Sequence, residues 1–246
     1  SVLEQYGHQV DLIVFTELCI TGYYPKDLLY QGSLIQAQNK AIDLIKSATE
    51  SLSAAVVLGY VEQNEGTGKP YFNALGLYEK GKQIAACYKQ LLPVYNIFDE
   101  ARHFEPGNQT GVLEFRGSKL GFLICEDGWE NSAHPMYKSN PVKDLEEEGV
   151  NTIISINASP GNIGKQEQRY ELIKQTAQRC DANVIYVNQV GGMDDIVFDG
   201  GSIAINAKGE TLAQSKFYEE DFTLVDLSNA ISIETKVQSK MQVIAQ

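Results

Sequence analysis

Three apolar runs in this chain each close on a residue able to move a proton or a group. Phe15-Thr16-Glu17-Leu18 ends one run on a carboxylate, and Cys87-Tyr88-Lys89-Gln90 ends another on an ammonium. Leu123-Ile124-Cys125-Glu126-Asp127 ends the third on a thiol. A charge emerging from a buried strand is costly unless something compensates it. A carboxylate beside an ammonium supplies that compensation, and a thiol beside an acid can lose its proton to it. Together they are the parts of an activated nucleophile: a thiolate attacks, a base takes its proton and a cation steadies the oxyanion. Spacing alone does not bring Glu17, Lys89 and Cys125 together. Singly, a strand Cys is most simply inert packing, and a strand-end Glu or Lys most simply reaches water.

Among the four cysteines, Cys125 has the best setting for chemistry. Cys19 precedes a Thr-Gly-Tyr-Tyr-Pro turn, Cys87 lies within a strand pattern, and Cys180 falls on the apolar stripe of a helix. Cys125 is followed by Glu126-Asp127-Gly128-Trp129, a turn that would expose the thiol and aim backbone N–H groups at a bound carbonyl. No CxxC is present, so zinc-ribbon and thioredoxin readings fail, and scattered thiols fit a reduced, cytoplasmic protein. His8, His103 and His134 show no metal-ligand spacing, and no metal site is expected.

The elements that must position these residues alternate between strand and helix. Val10–Glu17, Ala54–Val61, Lys119–Cys125 and Thr152–Ala158 read as buried strands. Phe72–Tyr78 and Gln83–Tyr88 flank a Gly-containing turn, a hairpin, and a second hairpin crosses Ala207-Lys208-Gly209. Asn183–Val190 and Phe222–Leu227 read as further strands. Helical spacing marks Leu34 to Ala48, Gln166–Ala182 and, after the Pro135 breaker, Lys138–Glu148; the tail from Ile231 is weakly helical. The expectation is one α/β domain over residues 1–246 with mixed sheets.

The chain has 246 residues and a formal charge of −12. That acidity argues against nucleic acid, which needs a basic track along the phosphates. It also argues against anionic membrane surfaces, and no apolar run approaches the ~20 residues of a membrane span. The opening Ser1-Val2-Leu3-Glu4 lacks a Met and any signal peptide, which suggests a section of a longer sequence.

The residues now in hand carry a resemblance. Glu17 in FTELCITGYYPKDLL, Lys89 in YKQLLPVYNIFDEARHFEPG and Cys125 in LGFLICEDGWE resemble the Glu-Lys-Cys signature of the carbon–nitrogen hydrolase (nitrilase) superfamily. With NASPGNIGKQEQR (Asn157–Arg169) and VNQVGGMDDIVFDGGS (Val187–Ser202), the chain is similar more narrowly to the glutaminase domains of glutamine-dependent NAD+ synthetases. The resemblance runs from about Val10 to about Leu227. It implies an α/β fold, the four-layer α-β-β-α sandwich, and hydrolysis of L-glutamine through a thioester on Cys125. Glu17 would be the general base, Lys89 the oxyanion partner with the N–H after Cys125, and Glu100 a second acid beside them. Tyr95 and Trp129 would wall the glutamine pocket, and Ser159 and Arg169 would hold its amino-acid end, a guanidinium fork suiting a carboxylate.

The same resemblance implies a homo-oligomer and no cofactor for this domain. ATP and Mg2+ would belong to a synthetase domain that, with a first strand, is missing here. Gly128 stands where the family more often has a larger apolar residue. Two alternatives stay open: a free-standing amidase, carbamoylase or nitrilase on another small amide, and an idle regulatory module. Gly161-Asn162-Ile163-Gly164-Lys165 lacks the spacing of a phosphate loop and reads as a Gly-rich loop before a helix, whose N–H groups could approach a substrate. No GxSxG elbow occurs.

Overall fold

Dense aliphatic runs build the two main sheets, each within its own compact unit, Ser1–Gly111 and Val112–Gln246. The computed structural model describes residues 1–129, 137–228 and 231–236.

In the first unit a short helix α1 (Val2–Tyr6) precedes β1 (Leu12–Val14), and α2 (Gly32–Thr49) leads to β2 (Ala55–Gln63), β3 (Tyr71–Glu79) and β4 (Lys82–Tyr88). The strands lie in the order β1-β2-β3-β4. β1 runs parallel to β2 with Ile13 opposite Val56, and the other pairs are antiparallel. Ile42 and Ile45 of α2 pack on Val56, Leu58 and Tyr60, alternate residues of β2 that point to one face. The buried Gln38 on that helix donates to Val61 O at 2.8 Å and accepts from Val61 N at 2.7 Å, so its amide is satisfied under the apolar face.

β1 is shorter than the Val10–Glu17 run suggests, because the chain leaves the ladder after Val14. Phe15 N–H still donates to Val57 O at 2.8 Å, and Gly59 N–H to Thr16 O at 3.1 Å. The segment carrying Glu17 therefore tracks β2 at close range. A Cβ on Gly59 would stand 2.3 Å from Leu18 N and 2.7 Å from Glu17 Cα. Glycine alone admits that approach.

In the second unit β5 (Gly111–Phe115), β6 (Ser118–Ile124), β7 (Thr152–Asn157) and β8 (Asn183–Asn188) continue the chain. A ribbon of β9 (Val190–Met193) and β10 (Ile196–Asp199) follows, then β11 (Ile203–Ile205) and β12 (Thr211–Gln214). The main sheet is ordered β12-β11-β8-β7-β6-β5. β6, β7 and β8 are parallel, so Cys125, Ser159 and Asn188 all lie at strand ends of the same polarity. Two helices, α3 (Pro141–Glu148) and α4 (Lys165–Cys180), pack Val142, Leu145, Ile173 and Ala177 against Leu123, Ile153, Val184 and Ile203. Truncating any of these to Ala would cost about 2–5 kcal/mol where a large side chain is lost.

Three sequence expectations need correction. The helix proposed for Lys138–Glu148 begins at Pro141, because Asn140 accepts from Lys143 N at 3.0 Å and caps it. Phe222–Leu227 forms no strand and is largely exposed; its residues find no ladder partner among the described ones. Residues 231–236 are not helical, Ile233 N–H instead reaching Thr211 O at 2.7 Å, and the rest of that tail lies outside the described residues, as do Pro135 and His134. α1, β5 and the β9–β10 ribbon went unread.

Candidate active site

In the first unit three of the expected residues meet. Lys89, just past the end of β4, places Nζ 2.8 Å from Glu17 Oε1 and 2.7 Å from Glu100 Oε1. All three side chains are at most 1% exposed. Glu100 opens a 3-10 turn, Glu100–Arg102, and its N–H is tied to Pro93 O at 3.1 Å. The Lys89 backbone is held on both sides, its N–H on Asn73 O and its carbonyl under Gly107 N–H, each at 2.8 Å. A Cβ at Gly107 would fall 2.3 Å from Tyr88 O, which explains the glycine in HFEPG.

One buried cation between two buried carboxylates cannot neutralise both. Burial pushes the Glu100 carboxyl above its ordinary range, Lys89 opposes that rise, and the neighbouring Glu17 adds to it. Tyr23 OH donates to Glu100 Oε1 at 2.5 Å, and Asn73 Nδ2 donates to Glu17 Oε1 at 2.7 Å. Sequence reasoning missed both. Their signals were a Tyr in TGYYP and a lone Asn on the buried parity of YFNALGLY. Tyr95 is half-buried, its ring meeting Phe98 edge-on at 5.5 Å.

In the second unit Cys125 opens a 3-10 turn, Cys125–Gly128, directly after β6, with φ +46. A non-glycine residue in the left-handed region is uncommon and marks local strain. The thiol is half-exposed. The other cysteines are packing groups: burial pushes the Cys19 thiol up to about 12 and the Cys180 thiol to about 11, and Cys87 is buried in β4. Trp129, which ends that turn, lies under Lys165, whose Nζ is 3.4 Å from the ring centroid. Burial lowers the Lys165 ammonium, and a negative charge on the Cys125 sulfur would oppose that shift.

Ser159 and Arg169 also meet, but around a carboxylate the sequence reading had not placed there. Arg169 Nη2 donates to Ser159 Oγ at 3.3 Å and to Ser159 O at 3.4 Å, while Nη1 lies 3.0 Å from Asp199 Oδ1. Asn188 completes the knot, accepting from Ser159 N at 2.9 Å and donating to Gly200 O at 3.0 Å. The N–H of Gly161 in the Gly-rich loop is engaged as well, donating to Val197 O at 2.8 Å. Among the described residues no group of three or more His, Cys, Asp or Glu could hold a metal ion, and no helix is long and apolar enough to cross a membrane.

Residues 2–236 match the family model described as carbon-nitrogen hydrolase. The chain belongs to the carbon–nitrogen hydrolase family. Among curated relatives, glutamine-dependent NAD(+) synthetase of Synechocystis is 36% identical over 93% of this chain and 42% of its own length. The Thermotoga maritima protein of the same name is 34% identical over 88% of the chain and 36% of its own. The chain thus spans about two-fifths of the length of the curated relatives it matches. Among solved structures, glutamine-dependent NAD+ synthetase from Acinetobacter baumannii aligns with a TM-score of 0.81 at 32% identity, covering 95% of this chain and 43% of that one. An amidase of the nitrilase superfamily from Nesterenkonia aligns at 0.69 with 21% identity over 87% of this chain and 75% of its own, a likeness of fold alone. The fold class expected from the sequence, the α/β type of the carbon–nitrogen hydrolases, is the one these likenesses show.

Proposed function

We propose that this carbon–nitrogen hydrolase chain hydrolyses the side-chain amide of L-glutamine. The ammonia would serve ATP-dependent amidation of deamido-NAD+ by a synthetase domain, holding ATP and Mg2+, of a longer cytoplasmic, oligomeric protein. The observation that carries the hydrolase chemistry is the buried Lys89 held between Glu17 and Glu100. The names of the relatives support glutamine as substrate, and four cysteines that form no disulfide support a reducing compartment.

Roles follow the Glu-Lys-Cys pattern. Cys125 passes its proton to Glu17 and adds through sulfur to the amide carbon, and Lys89 balances the oxyanion. Collapse returns the proton to the leaving nitrogen, which departs as ammonia and leaves a γ-glutamyl thioester. Water then adds, giving its proton to Glu17, and the second collapse releases glutamate and restores the thiol. Tyr95 and Trp129 wall the pocket in this reading, and Ser159 lies at the amino-acid end.

Of the second unit's two candidate cations, Lys165 suits the substrate carboxylate better than Arg169. Arg169 is matched to Asp199, whereas Lys165 has no carboxylate at ion-pair distance among the described residues. Lys165→Met should raise KM for glutamine about tenfold or more and spare any amide lacking that carboxylate. For the reaction itself, Cys125→Ala should abolish glutamine hydrolysis, and an electrophilic glutamine analogue should label Cys125. Unchanged turnover, labelling of another cysteine, or turnover of a different amide but not glutamine would each overturn the proposal.

A further inference from the structure

The carboxamide of Asn73 has a feature that ordinary packing does not explain. It is fully buried, and its Oδ1 meets no hydrogen-bond donor among the described residues. Buried polar atoms are nearly always paired, so an orphan persists where the rest of the group is needed. The rest of this group is Nδ2, which lies 2.7 Å from Glu17 Oε1 and 3.5 Å from Glu100 Oε2. Turning the amide over would aim Oδ1 at both carboxylates, so the donor orientation follows from the neighbours rather than from an arbitrary placement. Position 73 is also central to the unit: β3 lies between β2 and β4, and the same residue's carbonyl takes the Lys89 N–H at 2.8 Å.

We infer that Asn73 is a positioning residue for Glu17, an uncharged bridge that fixes the two carboxylates of the cluster against Lys89. The inference rests on Glu17 acting as the base. Consider what other residue types would do there. An aliphatic side chain would remove a donor from Glu17 Oε1, which now takes both the amide and Lys89. A second Lys or Arg would balance the two acids charge for charge and drain the basicity that a proton acceptor needs. Aspartate would add a third carboxylate to a cluster with one cation. Asparagine directs the carboxylate without changing the charge count, and the unpaired Oδ1 is the cost of that choice.

The groups that face Glu17 within its unit include Lys89, Glu100 and Asn73, with Tyr23 acting through Glu100. Replacing Asn73 by Leu or Ala should therefore lower kcat about 10- to 100-fold with KM for glutamine little changed. The acid limb of the kcat/KM profile should move to higher pH, since the charged form of Glu17 loses a donor. Asn73→Ser, which keeps a hydroxyl donor, should recover part of both effects. Titration of the glutamate side-chain carboxyls by carbon NMR should show the same upward displacement without any substrate. A wild-type acid limb and wild-type titration in a folded Asn73→Ala protein would overturn the inference. So would a loss of kcat that matches only a lower fraction of reactive Cys125. If the wild-type chain fails to hydrolyse glutamine, the functional proposal falls, while the NMR titration still decides the role of Asn73.

Discussion

The two units each bury an ionic cluster, and the two clusters are built on opposite plans. In the first, Lys89 serves two carboxylates, so the charges do not cancel and Glu100 keeps a raised affinity for a proton. In the second, Arg169 meets a single carboxylate among the described residues, Asp199, and its Nη2 reaches the backbone and hydroxyl of Ser159. The first plan leaves the charges unbalanced; the second sets one cation against one anion and fixes a loop. Burial alone therefore does not mark a catalytic group. The mismatch of charges is what distinguishes the first cluster from the second.

That contrast can be broken at its strongest point first. Lys89→Met leaves two carboxylates in the interior without a cation. It should cost about 3–5 kcal/mol of stability, read by denaturant unfolding at pH 8, and reduce amide hydrolysis by roughly a thousandfold or more. Arg169→Met should cost a similar 3–5 kcal/mol by stranding Asp199, and the double variant with Asp199→Asn should recover part of it. If the double variant is no better than the single one, the pair is not the reciprocal partnership drawn here. Gly59→Ala should cost about 1–3 kcal/mol, because the new methyl meets the Glu17 backbone rather than a movable side chain.

The smallest effect has the opposite sign. A carboxyl whose folded pKa is raised contributes most to stability below its unfolded pKa, and that contribution fades as pH rises through the folded value. Glu100→Gln should therefore unfold at a higher temperature than wild type at pH 8, and the difference should shrink towards pH 4, where Glu100 is protonated in both states. A difference that grows on acidification would mean that Glu100 is held ionised instead.

Much of the fold was legible because its strands are dense apolar runs and its long helices keep strict spacing. Gly32–Thr49 and Lys165–Cys180 lie within three residues of their sequence-based bounds. The errors fell where periodicity carries no information. β1 is cut short where the chain makes a backbone contact with Gly59, distant in sequence, and the apolar residues of Phe222–Leu227 find no ladder among the described residues. For the site, charged residues at strand ends were readable because a charge in an apolar context stands out. Asn73 and Tyr23 were not, since their meaning comes from what they touch. For Arg169, the residue type suits a ligand carboxylate, and its neighbour Asp199 is an internal partner that the sequence did not show.

The parallel course of β6, β7 and β8 has a further consequence, for how such a protein can change. Cys125, Ser159 and Asn188 each follow or end a different strand, yet the register sets their backbones side by side. The connecting loops can therefore be exchanged without disturbing the ladder that aligns them. If the proposed function holds, a transplant of residues 158–165 from a relative acting on another amide should change recognition and leave Cys125 where β6 puts it. New specificities in this architecture are a matter of loop inheritance, with the sheet as the common frame.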